Sequence, residues 1–337
     1  MNKKNIFFLA VIVLIILAVM AYAVFSGISK KENTTSRIYR IGILSGLEYF
    51  SGVMDGFKEK MEEFGYIQGQ NTAYDIQKTD FDILAYQNIL DRFITERVDL
   101  ILVFPTEASQ EAKKATEGTG IPVIFAAANI EGTELVDSVR FPGENITGVR
   151  YPGPDIALQR LEIMHELIPN AKNILIPYQR GYPIIQSQLE VLYPVAEEMG
   201  ISIEELPADG ATELEEIFSL RGDDKRIDAI LFLAEPLAVT PENFVVIARF
   251  AKEYNIPVCG AAISVGEYKS IFGVSINNKN TGAQSAVLAD KILRGADPGV
   301  LPVVSAESHF QLNYSAAEEI GLTVSDGLLN RANEVIR

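Results

Sequence analysis

From Arg40 onwards, short apolar runs alternate with stretches whose apolar residues recur every three or four positions. This alternation constrains the fold most, because strands separated by helices build right-handed βαβ units and a parallel sheet. Ile41-Gly42-Ile43-Leu44 is a strand run ending in Ser45-Gly46. A helical stretch follows, with Met54, Phe57, Met61 and Phe64 on one face and Gly65 as its stop. A strand near Ala73–Ile76 and a helix turning Ile83, Leu90 and Ile94 inward come next. Leu100–Phe104 (LILVF) has no polar position, the composition of a strand buried on both faces of a parallel sheet. A helix carrying Ala108, Ala112 and Ala115 and a strand over Pro122–Ala128 complete a first set.

A second set repeats the pattern. Asn173–Ile176, Ser202–Leu206 and Ala229–Leu233 read as strands, with helices over 182–199, 212–220 and 243–254 between them. Ile271–Val274 is a further strand run, and Thr281–Arg294 a helix with Ala283, Ala286, Ala289 and Leu293 at helical spacing. The sets divide near Gly148, so the expected fold is α/β, with two doubly wound parallel-sheet lobes. Open α/β sheets bind ligands outside the carboxyl ends of their strands. Six loops therefore line one expected cleft: Ser45–Ser51, Pro105–Ser109, Ala126–Asn129, Tyr178–Tyr182, Glu235–Thr240 and Ala261–Ser264.

Composition narrows the chemistry. The chain has 337 residues, enough for two domains, and a net charge of −16. That balance argues against a nucleic-acid partner, whose phosphates are bound through Lys and Arg. One cysteine, Cys259, allows no intrachain disulfide and no CxxC zinc site. Two histidines, His165 and His309, are too few for a histidine-rich metal site. The glycines near the first strand do not form G-x-G-x-x-G, and no P-loop or G-x-S-x-G elbow is present. No catalytic residue, metal or cofactor is expected.

The N-terminus points outside the cell. Lys3 and Lys4 precede Ile6–Phe25, which carries no charge; at about 1.5 Å per residue it is long enough to span a bilayer. The lysines favour an N-terminus kept inside. The run either stays as a transmembrane anchor or is removed as a signal peptide at the Ala21-Tyr22-Ala23 motif. No cysteine follows it for lipidation, and Lys30–Ser36 reads as a tether. With about five residues before the run, signalling through a cytoplasmic domain of the same chain is not expected.

Several stretches resemble the ABC transporter substrate-binding protein family whose better-known members bind tryptophan or tyrosine. They are IGILSG (Ile41–Gly46) with GFKEKMEEFGYIQGQN (Gly56–Asn71), VDLILVFPTEASQEAKKAT (Val98–Thr116), IPVIFAAANIEGTELVDSVRFPGENITGV (Ile121–Val149), TGAQSAVLADKILRGADPGVLP (Thr281–Pro302) and NYSAAEEIGLTVSDGLLNRANEVI (Asn313–Ile336). Asn129 and Ile130 stand where many members have an aspartate and a proline. The resemblance implies a type I periplasmic-binding-protein fold with a three-crossover hinge. Residues 1–37 would form the anchor or signal and tether, 38–149 plus 278–303 lobe 1, and 150–277 plus 304–337 lobe 2. It also implies a monomeric, non-catalytic receptor on the outer face of the cytoplasmic membrane. Its partners would be a small-molecule solute, an ABC permease and the ATPase subunit. The alternative use of such a cleft is to present a solute to a separate membrane sensor.

Each cleft loop offers candidate solute contacts. Ser45 and Thr106 carry hydroxyls after the first and third strands, and Thr106 also begins a helix, where N–H groups favour an anion. Asn129 follows the next strand. Tyr49, Phe50, Tyr178 and Tyr182 are aromatics suited to a flat or apolar solute. Glu235 is an acid that would pair with an amine, and Ser275 and Asn277 lie near a crossover. The aromatic loops and the resemblance both lean towards an amino acid, aromatic ones among them.

Overall fold

The structure, a computed structural model, describes residues 37–46, 48–79, 82–221 and 226–337. The apolar run Ile6–Phe25, its cleavage motif and the tether lie outside the described residues. Among the described residues no helix is long and apolar enough to cross a membrane.

The first lobe runs β1 (Tyr39–Ser45), α1 (Ser51–Glu63), β2 (Thr72–Lys78), α2 (Ile83–Thr95), β3 (Leu100–Phe104), α3 (Thr106–Thr116), β4 (Val123–Ala128) and β5 (Ile146–Arg150). The second continues with α4 (Gly153–Leu167), β6 (Asn173–Gln179), α5 (Ile185–Glu198), β7 (Ser202–Ala208), α6 (Ala211–Arg221), β8 (Ala229–Leu231), α7 (Pro241–Glu253) and β9 (Val258–Gly260). A hairpin, β10 (Ser264–Val265) and β11 (Tyr268–Lys269), precedes β12 (Phe272–Ile276). Next come α8 (Asn278–Leu293), β13 (Val304–Ser305), β14 (Ser308–Asn313), α9 (Tyr314–Glu319), α10 (Asp326–Arg331) and β15 (Glu334–Ile336).

The six-stranded sheet, ordered β13-β5-β4-β3-β1-β2, is parallel throughout. β3 shows why the chain folds this way. Ile101 and Val103 pack with Tyr86, Leu90 and Phe93 of α2 and with Ala108 and Ala112 of α3. The alternate residues Leu100, Leu102 and Phe104 pack on the other face with Val53, Phe57 and Met61 of α1 and Ala286 and Ala289 of α8. A strand covered by helices on both faces must be apolar at every position. On α2 the inward stripe is Tyr86, Leu90 and Phe93, whereas Ile83 is exposed and Ile94 only half-buried. Ile83 begins the helix directly after its cap Asp82, at the rim of the core, and the two rings bury more area than the isoleucines would.

The second sheet, β15-β14-β12-β9-β8-β6-β7, departs from the all-parallel expectation. β14 is antiparallel to β12, with Ile276 opposite Ser308. The reason is where the chain crosses. β5, β12 and β13 all end at the carboxyl edge of their sheets. The chain therefore passes between lobes three times along that edge, after Arg150, Ile276 and Ser305. The first two passages enter helices, which return to the far edge. The third enters β14 directly, so β14 must run against β12, and β15 follows parallel to β14. This last crossing falls two residues beyond the boundary expected from sequence, because Val304 and Ser305 pair with Val149 and Arg150.

α8 returns to the first lobe and lies against α1 at backbone contact. A Cβ on Gly56 would overlap the Lys279 carbonyl, and one on Gly282 would overlap the Val53 carbonyl and lie 2.7 Å from the Phe57 nitrogen. In the second lobe Cys259 is buried on β9, and burial pushes its thiol far above the usual range. Thiolates, not thiols, are alkylated. Native protein at pH 8 is therefore expected to resist iodoacetamide and to take up one adduct per chain in denaturant. Intact mass spectrometry checks this; rapid native labelling would contradict the burial.

Candidate functional site

Both sheets share one strand order. It is β2-β1-β3-β4-β5 in the first and β7-β6-β8-β9-β12 in the second. In such sheets the order reverses next to the first strand of the set, and the crevice opens between the loops that leave in opposite directions. Those loops follow β1 and β3 in one lobe and β6 and β8 in the other. They bring together Ser45, Tyr49, Phe50, Thr106 and Glu107 from one side and Tyr182 and Glu235 from the other.

Hydrogen bonds link the lobes here. Tyr182 donates its hydroxyl to Glu107 Oε1 at 2.8 Å. Tyr49 and Ser275 join hydroxyl to hydroxyl at 3.1 Å; within the first lobe, Asn278 Nδ2 holds the Tyr49 carbonyl at 2.9 Å. Burial, then Glu107 and Glu235, push the Tyr182 phenol far above its ordinary range, so it remains a neutral donor.

Thr106 and Asn129 act as a pair. Thr106 is 4% exposed, and its Oγ1 accepts the Asn129 backbone N–H at 3.0 Å. A bulge at the end of β4 makes this reach possible. The register with β5 shifts between Ala126 and Ala128, and Ala127 adopts φ 51°. A bulge inserts an extra residue and re-aims the side chains beyond it. The Asn129 side chain then lies against the first turn of α4, where a Cβ on Gly153 would come 2.5 Å from its Oδ1. Ser45 is buried at the end of β1. The Tyr49 ring meets Phe50 edge to face at 5.0 Å, with Phe50 packed on the core and Tyr49 62% exposed.

Three candidates have local duties. Glu235 is not free to pair with an amine. Its Oε2 accepts from the N–H groups of Gln179 and Leu237, both at 2.8 Å, and Oε1 from Ala238 at 2.7 Å, so it ties the loops after β6 and β8 together. Burial raises its pKa even against those three donors. Tyr178 donates to Glu205 of β7, which also accepts from Tyr193 of α5, so it is fixed within the second lobe. Asn277 is exposed and caps α8, its side chain accepting the Asn280 N–H at 2.9 Å.

Sequence reasoning missed Glu107, Tyr151 and Arg160. Arg160, 3% exposed, lies on α4 above the end of β9. β9 stops at Gly260, where φ of +105° turns the chain away, so the carbonyls of Phe232 and Val274 have no ladder donor on that side. Arg160 replaces it. Nε and Nη2 donate to the Val274 carbonyl at 2.9 and 2.6 Å, and Nη1 donates to Phe232 at 3.0 Å. Nη2 also approaches the Tyr151 hydroxyl at 3.5 Å. Tyr151, at the first crossover, also lies near the Ser275 hydroxyl. A run of polar contacts thus leads from the buried cation to the Tyr49–Ser275 bridge. Among the described residues, no group of three or more His, Cys, Asp or Glu side chains is placed to hold a metal ion.

Comparison with known proteins agrees with this architecture. The family model described as ABC transporter substrate binding protein matches residues 45–336. The tyrosine-binding protein of Clostridioides difficile (strain R20291) is 26% identical over 283 residues, covering 82% of this chain and 79% of that protein. A crystal structure of a conserved domain protein from Vibrio cholerae aligns with TM-score 0.76 and 26% identity, covering 89% of this chain and all (100%) of the other. A domain from Streptococcus pneumoniae in complex with L-Trp aligns with TM-score 0.76 and 24% identity over the same shares, 89% and 100%. With a family match over most of its length and the two-lobed fold of these relatives, the chain belongs to the ABC transporter substrate binding protein family.

Proposed function

We propose that this protein is the extracytoplasmic solute-binding component of an ABC importer. It takes an amino acid, with tyrosine and tryptophan foremost, between its lobes and delivers it to a permease. The observation that carries this reading is the meeting of the two switch-point crevices, bridged by Glu107–Tyr182 and Tyr49–Ser275 and lined with aromatic rings. The tyrosine-binding relative and the L-Trp complex support the choice of solute.

Solute held by both lobes interacts with the closed form more than with the open one, and so shifts the population towards it. Three crossovers along one edge suit a hinge, because few residues need to change backbone angles. Ser45, Thr106 and Asn129 are the proposed polar contacts, and Tyr49 and Tyr182 the proposed aromatic ones. The apolar run Ile6–Phe25 would hold the protein at the outer face of the membrane, or release it after cleavage near Ala23.

A thermal-shift screen against the twenty amino acids, nucleobases and sugars tests the reading. Solute at a hundred times Kd stabilises the folded form by about 2.7 kcal/mol. At about 2–4 °C per kcal/mol, the midpoint is expected to rise by about 5–10 °C with an aromatic amino acid. A rise with sugars alone would overturn the choice of solute.

A further inference from the structure

Glu107 sits where the lobes meet, and its hydrogen bonding is incomplete. Oε1 accepts from Tyr182, whereas Oε2 is shielded from solvent and accepts no hydrogen bond. Among the described residues no lysine, arginine or histidine forms an ion pair with it. A carboxylate oxygen removed from water without a donor is costly, and a neutral hydroxyl would supply the donor without the charge. The surroundings add to the deficit. Glu235, the other acid near the Tyr182 hydroxyl, has its oxygens occupied by backbone N–H groups, and Arg160, the cation that acts on Glu235, spends its donors on the Val274 and Phe232 carbonyls and the Tyr151 hydroxyl. Glu107, on the loop after β3, thus keeps one carboxylate oxygen with no donor and no directly bonded cation, in the crevice where the strand order places solute.

We propose that Glu107 receives the primary ammonium group of the solute, with Oε2 accepting one of its N–H bonds while Tyr182 closes over Oε1. The inference rests on the solute-binding reading and extends it. The cleft selects solutes that carry an amine, and Glu107 is the specificity-determining acid. An ammonium supplies both missing elements at once, a full charge and up to three donors. Charge-assisted hydrogen bonds of this kind are shorter and stronger than neutral ones.

The test is calorimetric titration of the full chain and of Glu107→Gln with matched probes. L-Tyrosine, L-tryptophan and tyramine carry the amine; 3-(4-hydroxyphenyl)propionate and indole-3-propionate lack it. Glutamine keeps the shape and the acceptor for Tyr182 but not the charge. Removing one partner of a buried charge pair is expected to weaken the amine-bearing probes by about 30-fold or more. The deaminated acids should bind wild type weakly and the variant no worse. Equal weakening of every probe would make Glu107 a closure contact only and overturn the proposal. Unchanged affinity for L-tyrosine in Glu107→Gln would overturn it while leaving the solute reading intact. Failure of wild type to bind any amine-bearing probe, the twenty amino acids included, would overturn both.

Discussion

Replacing Arg160 with alanine is expected to cost about 3–5 kcal/mol and to lower the unfolding midpoint by about 10 °C. The loss has two sources. The carbonyls of Phe232 and Val274 would lose donors at 2.6–3.0 Å in a place that water does not reach. Hydrogen bonds from a charged donor are worth about 1.5–3 kcal/mol each, and an orphaned buried acceptor costs a similar amount. A cavity would also open between α4 and the sheet. Arg160→Met separates the two contributions. Methionine restores much of the volume but no donor, so it should recover only part of the loss. If it unfolds at the wild-type temperature, the hydrogen bonds are not what Arg160 contributes. Because Tyr151 and Ser275 lie beyond Arg160, Arg160→Met should also weaken solute binding at temperatures where the variant is folded.

The second large effect is expected where α8 returns to the first lobe. Gly282→Ala sets two opposing effects against each other. In a helix interior, alanine is favoured over glycine by about 1 kcal/mol. Overpacking typically costs about 1–3 kcal/mol, and more where nothing can give way. Here the added methyl meets the Val53 carbonyl and the Phe57 nitrogen, backbone atoms of α1 with no rotamer to change. Packing wins, with a net destabilisation of about 2–3 kcal/mol. Gly56→Ala meets the Lys279 carbonyl and should behave alike. Once one methyl has parted the helices, the second costs less, so the double variant should lose less than the sum of the singles. Chemical denaturation of the three variants decides the sign. Stabilisation of either single variant would mean that the helices are not held at backbone contact.

Much of the fold was legible because the chain states it locally. Leu100–Phe104 has only one use in an α/β protein, and the apolar spacing along α1 and α3 finds Phe57, Met61, Ala108 and Ala112 of their buried faces, while Met54, Phe64 and Ala115 lie at the edges, half-buried. Less legible was whatever depends on partners distant in sequence. α4 escaped the reading because Arg160 interrupts its buried face of Ile156, Leu161, Ile163, Met164 and Leu167, although Asp155, Glu162 and Glu166 mark an exposed polar face. The direction of β14 follows from where the chain crosses between lobes, which no spacing within Ser308–Asn313 encodes.

The cleft obeyed the same rule. Which loops leave the carboxyl ends of the strands was legible from the alternation of elements, and those are the loops at which open α/β sheets hold ligands. The duties of individual side chains were not. Glu235 and Asn277 have the chemistry of solute contacts, but one ties two loops and the other caps a helix, since backbone N–H groups reach them first. Glu107 was passed over because an acid in the first turn of a helix has an ordinary explanation in the helix dipole. Only its place opposite Tyr182, with one oxygen buried and unpaired, sets it apart.

The central claim is that the interlobe crevice captures an aromatic amino acid, and equilibrium titration of L-tyrosine and L-tryptophan into the purified protein tests it most directly. The expected result is saturable binding of one molecule per chain, weakened by Thr106→Ala and by Tyr182→Ala. No heat with either amino acid at millimolar concentration, together with saturable binding of a sugar or a nucleoside, would contradict it.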